Sequence, residues 1–490
     1  MSSGVHSKAK ITKGLAWIGL ASSVIGVLDL GAQIIILHLF LSPAEYGIAA
    51  LAVTLFPLLD QVSDMGLSSA VIQRDDHSPE KIATVFWLNM ILSALLLGVL
   101  AAAAPAYARW QGHPVIGTML VVYGGKLIFH NIYAIPFAML KRELRFKELS
   151  VVRIVANIAE FAAKVGFAAA GMSYWCFLMA ALVREVIFAI GIQLYHPWRP
   201  SFHFRLREAS AYARFGLSMS ASQILFQLYT NADYPVVSKL FGATALGLYR
   251  AAYELVLELA RTIANVFTEV GFSAFARLRT DHARLVEQFV DFTRQTLVVI
   301  VPFVLVTLIA AEQTLTVVWG PAFAEAAAAA RVLCLVALLR ALSQVVPPLL
   351  NGIGRPSLTL IYHAVAAITL PAVFALSGTI LGPSLGYVSV AVGWAIGYPV
   401  AFTVLVSLAL RQLGLAPATY LRRTLGIPGC AVLAAPGAWA AHHFTSGWAA
   451  LPRLVAVSVA ALAVFLTALA YLQGISPRTM WRSFGSPPAA

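Results

Sequence analysis

Long apolar runs follow one another along this chain, and no polar gap between them exceeds about twenty residues, the length of a single membrane span. That spacing leaves no room for a sizeable water-soluble domain. A helix that crosses a bilayer needs about 20 largely apolar residues. Fourteen runs meet this requirement: 15–41, 45–72, 82–108, 115–140, 148–171, 174–196, 214–240, 244–275, 288–318, 323–352, 357–379, 383–410, 425–444 and 448–473. Only 11% of residues are charged, against about a quarter in a soluble chain, so lipid must be the solvent of most of the surface. The expected fold class is an all-α polytopic membrane protein.

The net charge of +13 belongs to short clusters between the runs, and no polar domain gathers it as a nucleic-acid binder would. No nucleic-acid partner is expected. The first apolar run is too long for a signal-peptide core of about 7–15 residues and is expected to remain as the first helix. Cys176, Cys334 and Cys430 lie inside apolar runs, at spacings that fit neither a metal site nor a disulfide frame, and read as small buried hydrophobes. His442 and His443 are adjacent and point to different sides of a helix, so a shared metal is not expected.

The clusters alternate. Lys8, Lys10 and Lys13 precede the first run, and the even-numbered connections carry groups such as Lys141, Arg142, Arg145 and Lys147. The odd-numbered connections offer only Arg109 and Arg453, while the tail carries Arg478 and Arg482. Lys and Arg in short loops stay on the cytoplasmic side, so both termini are expected there.

The chain also echoes itself at a shift of about 200 residues. Leu39-Phe40 and the following Ser42 to Gly47 correspond to Leu240-Phe241 and Ala243 to Gly247; Asp64 to Ser68 corresponds to Glu269 to Ser273; Trp110-Gln111-Gly112 corresponds to Trp319-Gly320. Six helices intervene, an even number, so the two copies share one orientation, as in parallel-repeat transporters. The expected organisation is an N-terminal lobe at 1–200 (helices 1–6), a second lobe at 201–415 (helices 7–12) and two extra helices with a tail at 416–490.

Several segments together resemble the polysaccharide transporter family of the MOP flippase superfamily, which includes the Wzx-type exporters of lipid-linked oligosaccharides. They are Ala44-Glu45-Tyr46-Gly47, Gly66 to Arg74, Thr84 to Asn89, Lys141 to Lys147, Pro197 to Pro200, Asn231 to Tyr234, Gly247 to Tyr253 and Gly352 to Pro356. One departure is Val270, where the family usually carries proline. The resemblance implies paired six-helix lobes in a V, alternating access, and a polyprenyl-diphosphate-linked oligosaccharide as cargo for exopolysaccharide, capsule or O-antigen synthesis. It further implies a bacterial inner membrane, with membrane lipid around the protein and polysaccharide polymerase and export machinery as candidate partners. The rivals within the superfamily are a drug/cation antiporter and a peptidoglycan-precursor flippase. A membrane-bound glycosyltransferase or polymerase is the rival from another class.

A charge at the bilayer centre costs about 2.5–3.5 kcal/mol on insertion scales, so such residues should face water or each other. Arg153, Asn157, Glu160 and Lys164 fall at steps of four, three and four, on one helical face. Arg250, Glu254, Glu258 and Arg261 do the same at four, four and three. Both stripes are expected to line the transport cavity; the alternative is that Glu160–Lys164, Arg250–Glu254 and Glu258–Arg261 merely neutralise one another. Candidate diphosphate-binding cations are Lys126, Arg153, Lys164, Arg184, Lys239, Arg250, Arg261 and Arg340. Candidate ion-coupling carboxylates are Asp29, Asp60, Asp64, Asp233, Glu254 and Glu258. The chain has no P-loop, no Gly-x-Ser-x-Gly and no metal-ligand spacing, so catalytic residues, metal and cofactor are not expected and an H⁺ or Na⁺ gradient is the default drive.

Overall fold

The computed structural model describes residues 2–64 and 78–475, with some side chains outside the description, including those of Ser2–Lys13, Asp64, 211–219 and 265–270. The resemblance segment Gly66–Arg74 and the tail arginines Arg478 and Arg482 lie outside the described residues. Every regular element among the described residues is helical. The chain divides into two compact units, Met1–Gly247 and Leu248–Ala490.

The first unit holds α1 (Ser2–Leu39), α2 (Pro43–Thr54), α3 (Phe56–Asp64), α4 (Pro79–Gln111), α5 (Val115–Gly124), α6 (Lys126–Arg142), α7 (Phe146–Ala169), α8 (Trp175–Tyr195), α9 (Leu206–Asn231) and most of α10 (Asp233–Tyr253). Helix α7 is the hub for the site described below, packing along both α8 and α1. Gly191 lets α8 come close: a Cβ there would sit 2.7 Å from Val152 Cγ1 on α7. Helix α9 packs on α3 and α4, and Gln61 Nε2 donates to Ser220 Oγ at 3.1 Å. This packing carries the first unit past residue 200, where the sequence reading ends its first lobe; a lobe defined by repetition and a unit defined by packing need not share a boundary.

The second unit holds a π-helical turn (Glu254–Glu258), α11 (Leu259–Leu278), α12 (His282–Ile309), α13 (Ala311–Trp319), a 3₁₀ turn (Pro321–Ala326), α14 (Ala327–Gly352), α15 (Pro356–Ile380), α16 (Gly382–Leu385), α17 (Val388–Gln412), α18 (Pro417–Thr424), α19 (Gly426–Phe444) and α20 (Ala450–Gln473). Helix α14 is central, packed by α11, α12, α15 and α17. The hairpin of α19 and α20 covers α12 through Val301, Leu305, Cys430, Ala434, Val457 and Phe465, all buried. All three cysteines are buried and free.

Among the described residues, ten helical segments are long and apolar enough to cross a membrane, and an eleventh if α18 and α19, bent by 40°, form one span. The sequence reading expects fourteen. The helix that occupies its fifth run is long enough but carries too many charges, and the helices at its seventh and eighth runs lie partly outside the described residues. Arg153, Glu160 and Lys164 interrupt α7, and Asp233, Lys239 and Arg250 punctuate α10. The second run is also broken, at Leu55 between α2 and α3, just ahead of Pro57, where the proline has no N–H to continue the helical ladder.

The self-echo has a backbone counterpart. Ser42 caps α2 in an extended conformation (φ −76°, ψ 160°), and 200 residues on Gly242 (φ 87°, ψ 179°) breaks α10 so that a helix restarts beside Ala243. A positive φ of that size suits glycine. The two restarted helices then meet reciprocally. A Cβ on Gly47 would lie 2.0 Å from the Ala243 carbonyl oxygen, and one on Gly247 would lie 1.8 Å from that of Pro43. Contact of 47 with 243 and of 247 with 43 is what a local two-fold relation produces. The other residues of the motif support the same junction. Ser42 and Glu45 form a capping box, Ser173 Oγ donates to Glu45 Oε1 at 2.5 Å, and Gln33 Nε2 donates to Tyr46 Oη at 2.7 Å.

Candidate functional site: a charged cavity and two ion clusters

Helix α7 turns one face outward with Val155 and Ile158 exposed and the opposite face inward with Val152, Ala156 and Glu160 buried. Its polar stripe sits on the inward side, as the spacing predicts. Arg153 and Asn157 line a cavity of about 570 Å³ together with groups from three other helices. Asp29 comes from α1, His130, Tyr133 and Lys141 from α6, and Arg184 and Glu185 from α8. Phe137, Phe146 and Phe188 supply aromatic wall. The volume falls in the range of about 300–1,000 Å³ usual for small-molecule sites.

The charges behind that wall are shared across helices. Arg184 bridges Glu185 on its own helix at 2.8 Å and Glu160 on α7 at 3.3 Å. Glu160 in turn holds Lys164 at 3.3 Å. Tyr133 donates to Glu185 Oε2 at 2.8 Å, and His130 Nδ1 lies 3.0 Å from the Tyr133 hydroxyl. Lys126 pairs with Asp60 of α3 at 2.6 Å and also feels Glu185. Asp29 is exposed on the cavity wall and is electrostatically close to Lys164, Glu160 and Arg184. Five helices thus contribute to one network, and a buried pair is far costlier to break than a surface one.

The second unit is organised differently. Arg250 pairs with Glu254 at 2.7 Å and Arg261 with Glu258 by both guanidinium and Nε contacts, each within one turn of chain. The π turn at Glu254–Glu258 sits between the pairs. A π turn departs from the 3.6-residue repeat, so the regular spacing assumed from Arg250 to Arg261 is altered there, while Glu258 stays within electrostatic reach of Arg250 and Arg261. Arg340 on α14 is fully buried, donates to Tyr253 Oη at 3.3 Å, and lies over the rings of Trp394 (4.9 Å) and Tyr398 (5.3 Å). Glu258 feels both Arg340 and Arg250.

The structure therefore brings Lys126, Arg153, Lys164, Arg184, Asp29 and Asp60 into one region, and Arg250, Arg261, Arg340, Glu254 and Glu258 into another. All three internal pairs considered as the alternative do form. Lys239 stands apart: it is exposed, donates to the Trp110 carbonyl at 2.6 Å and does not line the cavity. Asp233 is buried in the first turn of α10, where a carboxylate favours the helix dipole. Asp64 ends α3, and its side chain lies outside the described residues. The sequence reading omits Glu185 and leaves Glu160 out of its coupling carboxylates. Both sit in or beside apolar runs, and the cost of a charge there was the available signal.

Residues 36–328 match the profile of a family described as polysaccharide biosynthesis protein. Curated relatives include the teichuronic acid biosynthesis protein TuaB of Bacillus subtilis (strain 168), 26% identical over 359 residues, 71% of this chain and 72% of the relative. The lipopolysaccharide biosynthesis protein WzxC of Escherichia coli (strain K12) is 23% identical over 400 residues, 78% of this chain and 79% of the relative. The succinoglycan biosynthesis transport protein ExoT of Rhizobium meliloti (strain 1021) is 24% identical over 357 residues, 72% of each. Among solved structures, the lipid II flippase MurJ in its inward closed conformation superposes with a TM-score of 0.71 at 13% identity, covering 93% of this chain and 99% of that one. An inward-facing multidrug resistance MATE family transporter of the MOP superfamily gives 0.63 at 14% identity, covering 82% and 98%. At such identities the likeness is one of fold.

Proposed function

The chain belongs to the polysaccharide biosynthesis protein family, and we propose that it is a flippase that moves a polyprenyl-diphosphate-linked oligosaccharide across the bacterial inner membrane for exopolysaccharide, capsule or O-antigen synthesis. The observation that carries the reading is the cavity of the first unit, where Lys141, Arg153 and Arg184 bring cationic side chains to one wall. A diphosphate cannot enter lipid uncompensated, and arginine offers it a two-pronged donor. A drug/cation antiporter has no use for that surplus of cations. The relatives whose names refer to lipopolysaccharide biosynthesis and succinoglycan transport support the same cargo class.

In this reading the protein spans the membrane fourteen times with both ends in the cytoplasm, as two repeated lobes at 1–200 and 201–415 plus a C-terminal pair at 416–490. It works by alternating access as a transporter, with no catalytic step of its own. The polyprenyl tail stays in lipid while the head crosses. An H⁺ or Na⁺ gradient drives the cycle through the carboxylates that hold a neighbouring helix's cation, Asp60 with Lys126 and Glu160 with Arg184. Such pairs join separate helices, so an ion that exchanges with the carboxylate changes how the helices hold together. Polysaccharide polymerase and export machinery are the downstream partners.

The test is translocation in proteoliposomes. A fluorescent polyprenyl-diphosphate sugar is placed in both leaflets, and the outer label is quenched by a membrane-impermeant reductant. Purified protein under an imposed gradient should make the inner pool quenchable. An unchanged inner pool, together with gradient-driven movement of a cationic dye, would replace the flippase by an antiporter.

A further inference from the structure

The charged side chains of the cavity wall are Asp29, Lys141, Arg153, Arg184 and Glu185. Arg184 and Glu185 are bound to each other, and Lys141 lies over the Phe137 ring at 4.3 Å. Among the described residues, Arg153 and Asp29 alone of the five make no side-chain hydrogen bond, ion pair or ring contact. They carry opposite charge, come from packed helices and face one cavity, yet they do not join. Each sits within an apolar run, where a charge without a bonded partner is costly; Lys164 and Arg184 act on Asp29 only across space.

We propose that Arg153 and Asp29 are the two ends of a glycosyl-phosphate subsite: Arg153 holds the phosphate next to the first sugar, and Asp29 accepts that sugar's hydroxyls. This deepens the flippase reading and rests on it.

Other ligand classes leave one of the two groups unexplained. An organic cation would satisfy Asp29 and be repelled by Arg153. A bare phosphate would satisfy Arg153 and be repelled by Asp29 and Glu185. A glycosyl phosphate presents oxygens that only accept at one end and hydroxyl donors at the other, which matches an arginine and a carboxylate held apart. The supporting residues fit the same division. Asn157, one turn along α7, spends its amide N–H on the Arg153 carbonyl at 2.7 Å and keeps its own oxygen to accept. Ser150 adds a hydroxyl to the wall near Arg153 in sequence. Phe137 and Phe188 give flat apolar faces to which the C–H side of a sugar ring can pack. Arg184, already occupied by Glu160 and Glu185, is a fixed positive background rather than the anchor.

The experiment is equilibrium binding to the full-length protein in detergent, with farnesyl diphosphate as the sugar-free probe and its glucose- and N-acetylglucosamine-linked forms as the sugar probes. Arg153→Gln should weaken all three at least tenfold, and Arg422→Gln, exposed on α18, serves as the control. Arg153→Cys should bind poorly and regain affinity when a methanethiosulfonate reagent attaches an aminoethyl cation; Cys176, Cys334 and Cys430 are buried and leave the reaction to the new thiol. Recovery of that kind excludes misfolding as the cause. Asp29→Asn should shrink the advantage of the better sugar probe over farnesyl diphosphate severalfold. Wild-type binding of the diphosphates with no loss in Arg153→Gln would overturn the subsite and leave the flippase standing. A sugar advantage that is absent in the wild type, or survives Asp29→Asn, would remove Asp29 from it. Failure of the wild type to bind any of the three would sink both readings.

Discussion

Arg184 in the first unit reaches Glu160 on the preceding helix as well as Glu185 beside it, whereas Arg250 and Arg261 in the second unit each reach a glutamate one turn away on the same stretch of chain. The residue types are alike; the wiring is not. Charges shared between helices make helix packing depend on their ionic state. A pair within one turn contributes only about 0.2–0.5 kcal/mol on an isolated helix; the second unit also has one pair between helices, Arg423 with Glu287 at 2.7 Å. The second unit places its buried cation, Arg340, against aromatic rings and within electrostatic reach of Glu258. The difference is one of wiring: Arg184 ties two helices of the first unit together, while the Arg250 and Arg261 pairs of the second stay within a single turn.

The largest effect is expected at the shared cation. Arg184→Gln leaves Glu185 with Tyr133 and Glu160 with Lys164 but removes the cation that ties the two helices together, at a cost of up to about 3 kcal/mol, since Arg184 is partly exposed. Thermal unfolding in detergent should fall steeply; an unfolding temperature equal to that of the wild type would erase the contrast between the units. Next comes the junction where the two repeats behave identically. Gly47→Val and Gly247→Val each drive a side chain into a backbone carbonyl, and overpacking of this kind costs about 1–3 kcal/mol. The two losses should be similar, and a large inequality in the same assay would break the local two-fold relation.

Smaller still is the local pair. Arg261→Gln should alter stability by about 0.2–1 kcal/mol, since both partners are partly exposed. Transport should nevertheless drop, with Arg261→Lys intermediate because it keeps the charge and loses the fork. A stability loss as large as that of Arg184→Gln would show that the second unit is wired like the first. The least demanding test is accessibility. A cysteine at Arg153 should react with a small water-soluble thiol reagent, and one at Val155, on the outward face of α7, should react more slowly. Equal rates would deny that α7 has a wet side and a lipid side.

Much of this was legible in the sequence. Apolar runs gave the helices, and the 153–157–160–164 spacing gave the inward stripe of α7, because both depend on local periodicity. The reciprocal glycine contact was half legible: the echo announced Gly47 and Gly247 as equivalents without saying that they touch. What stayed hidden depends on packing. Glu185 gains its meaning from Tyr133 and Arg184, and no spacing rule connects α6 to α8. The π turn at Glu254 cannot be read from a pattern built on a uniform helix. Lys239 looked like a cavity cation and is engaged at Trp110, since charge alone does not say which way a side chain points.

The central claim is that the chain carries a lipid-linked sugar across the membrane, and the most direct measurement follows that lipid in the host cell. The gene is deleted and the lipid-linked oligosaccharide and the surface polymer are quantified together. The account predicts that the lipid-linked repeat unit accumulates with its sugar on the cytoplasmic side while the surface polymer disappears, and that restoring the intact chain reverses both. Normal polymer with no accumulation of lipid-linked sugar, in a strain without a second flippase of this family, would contradict it.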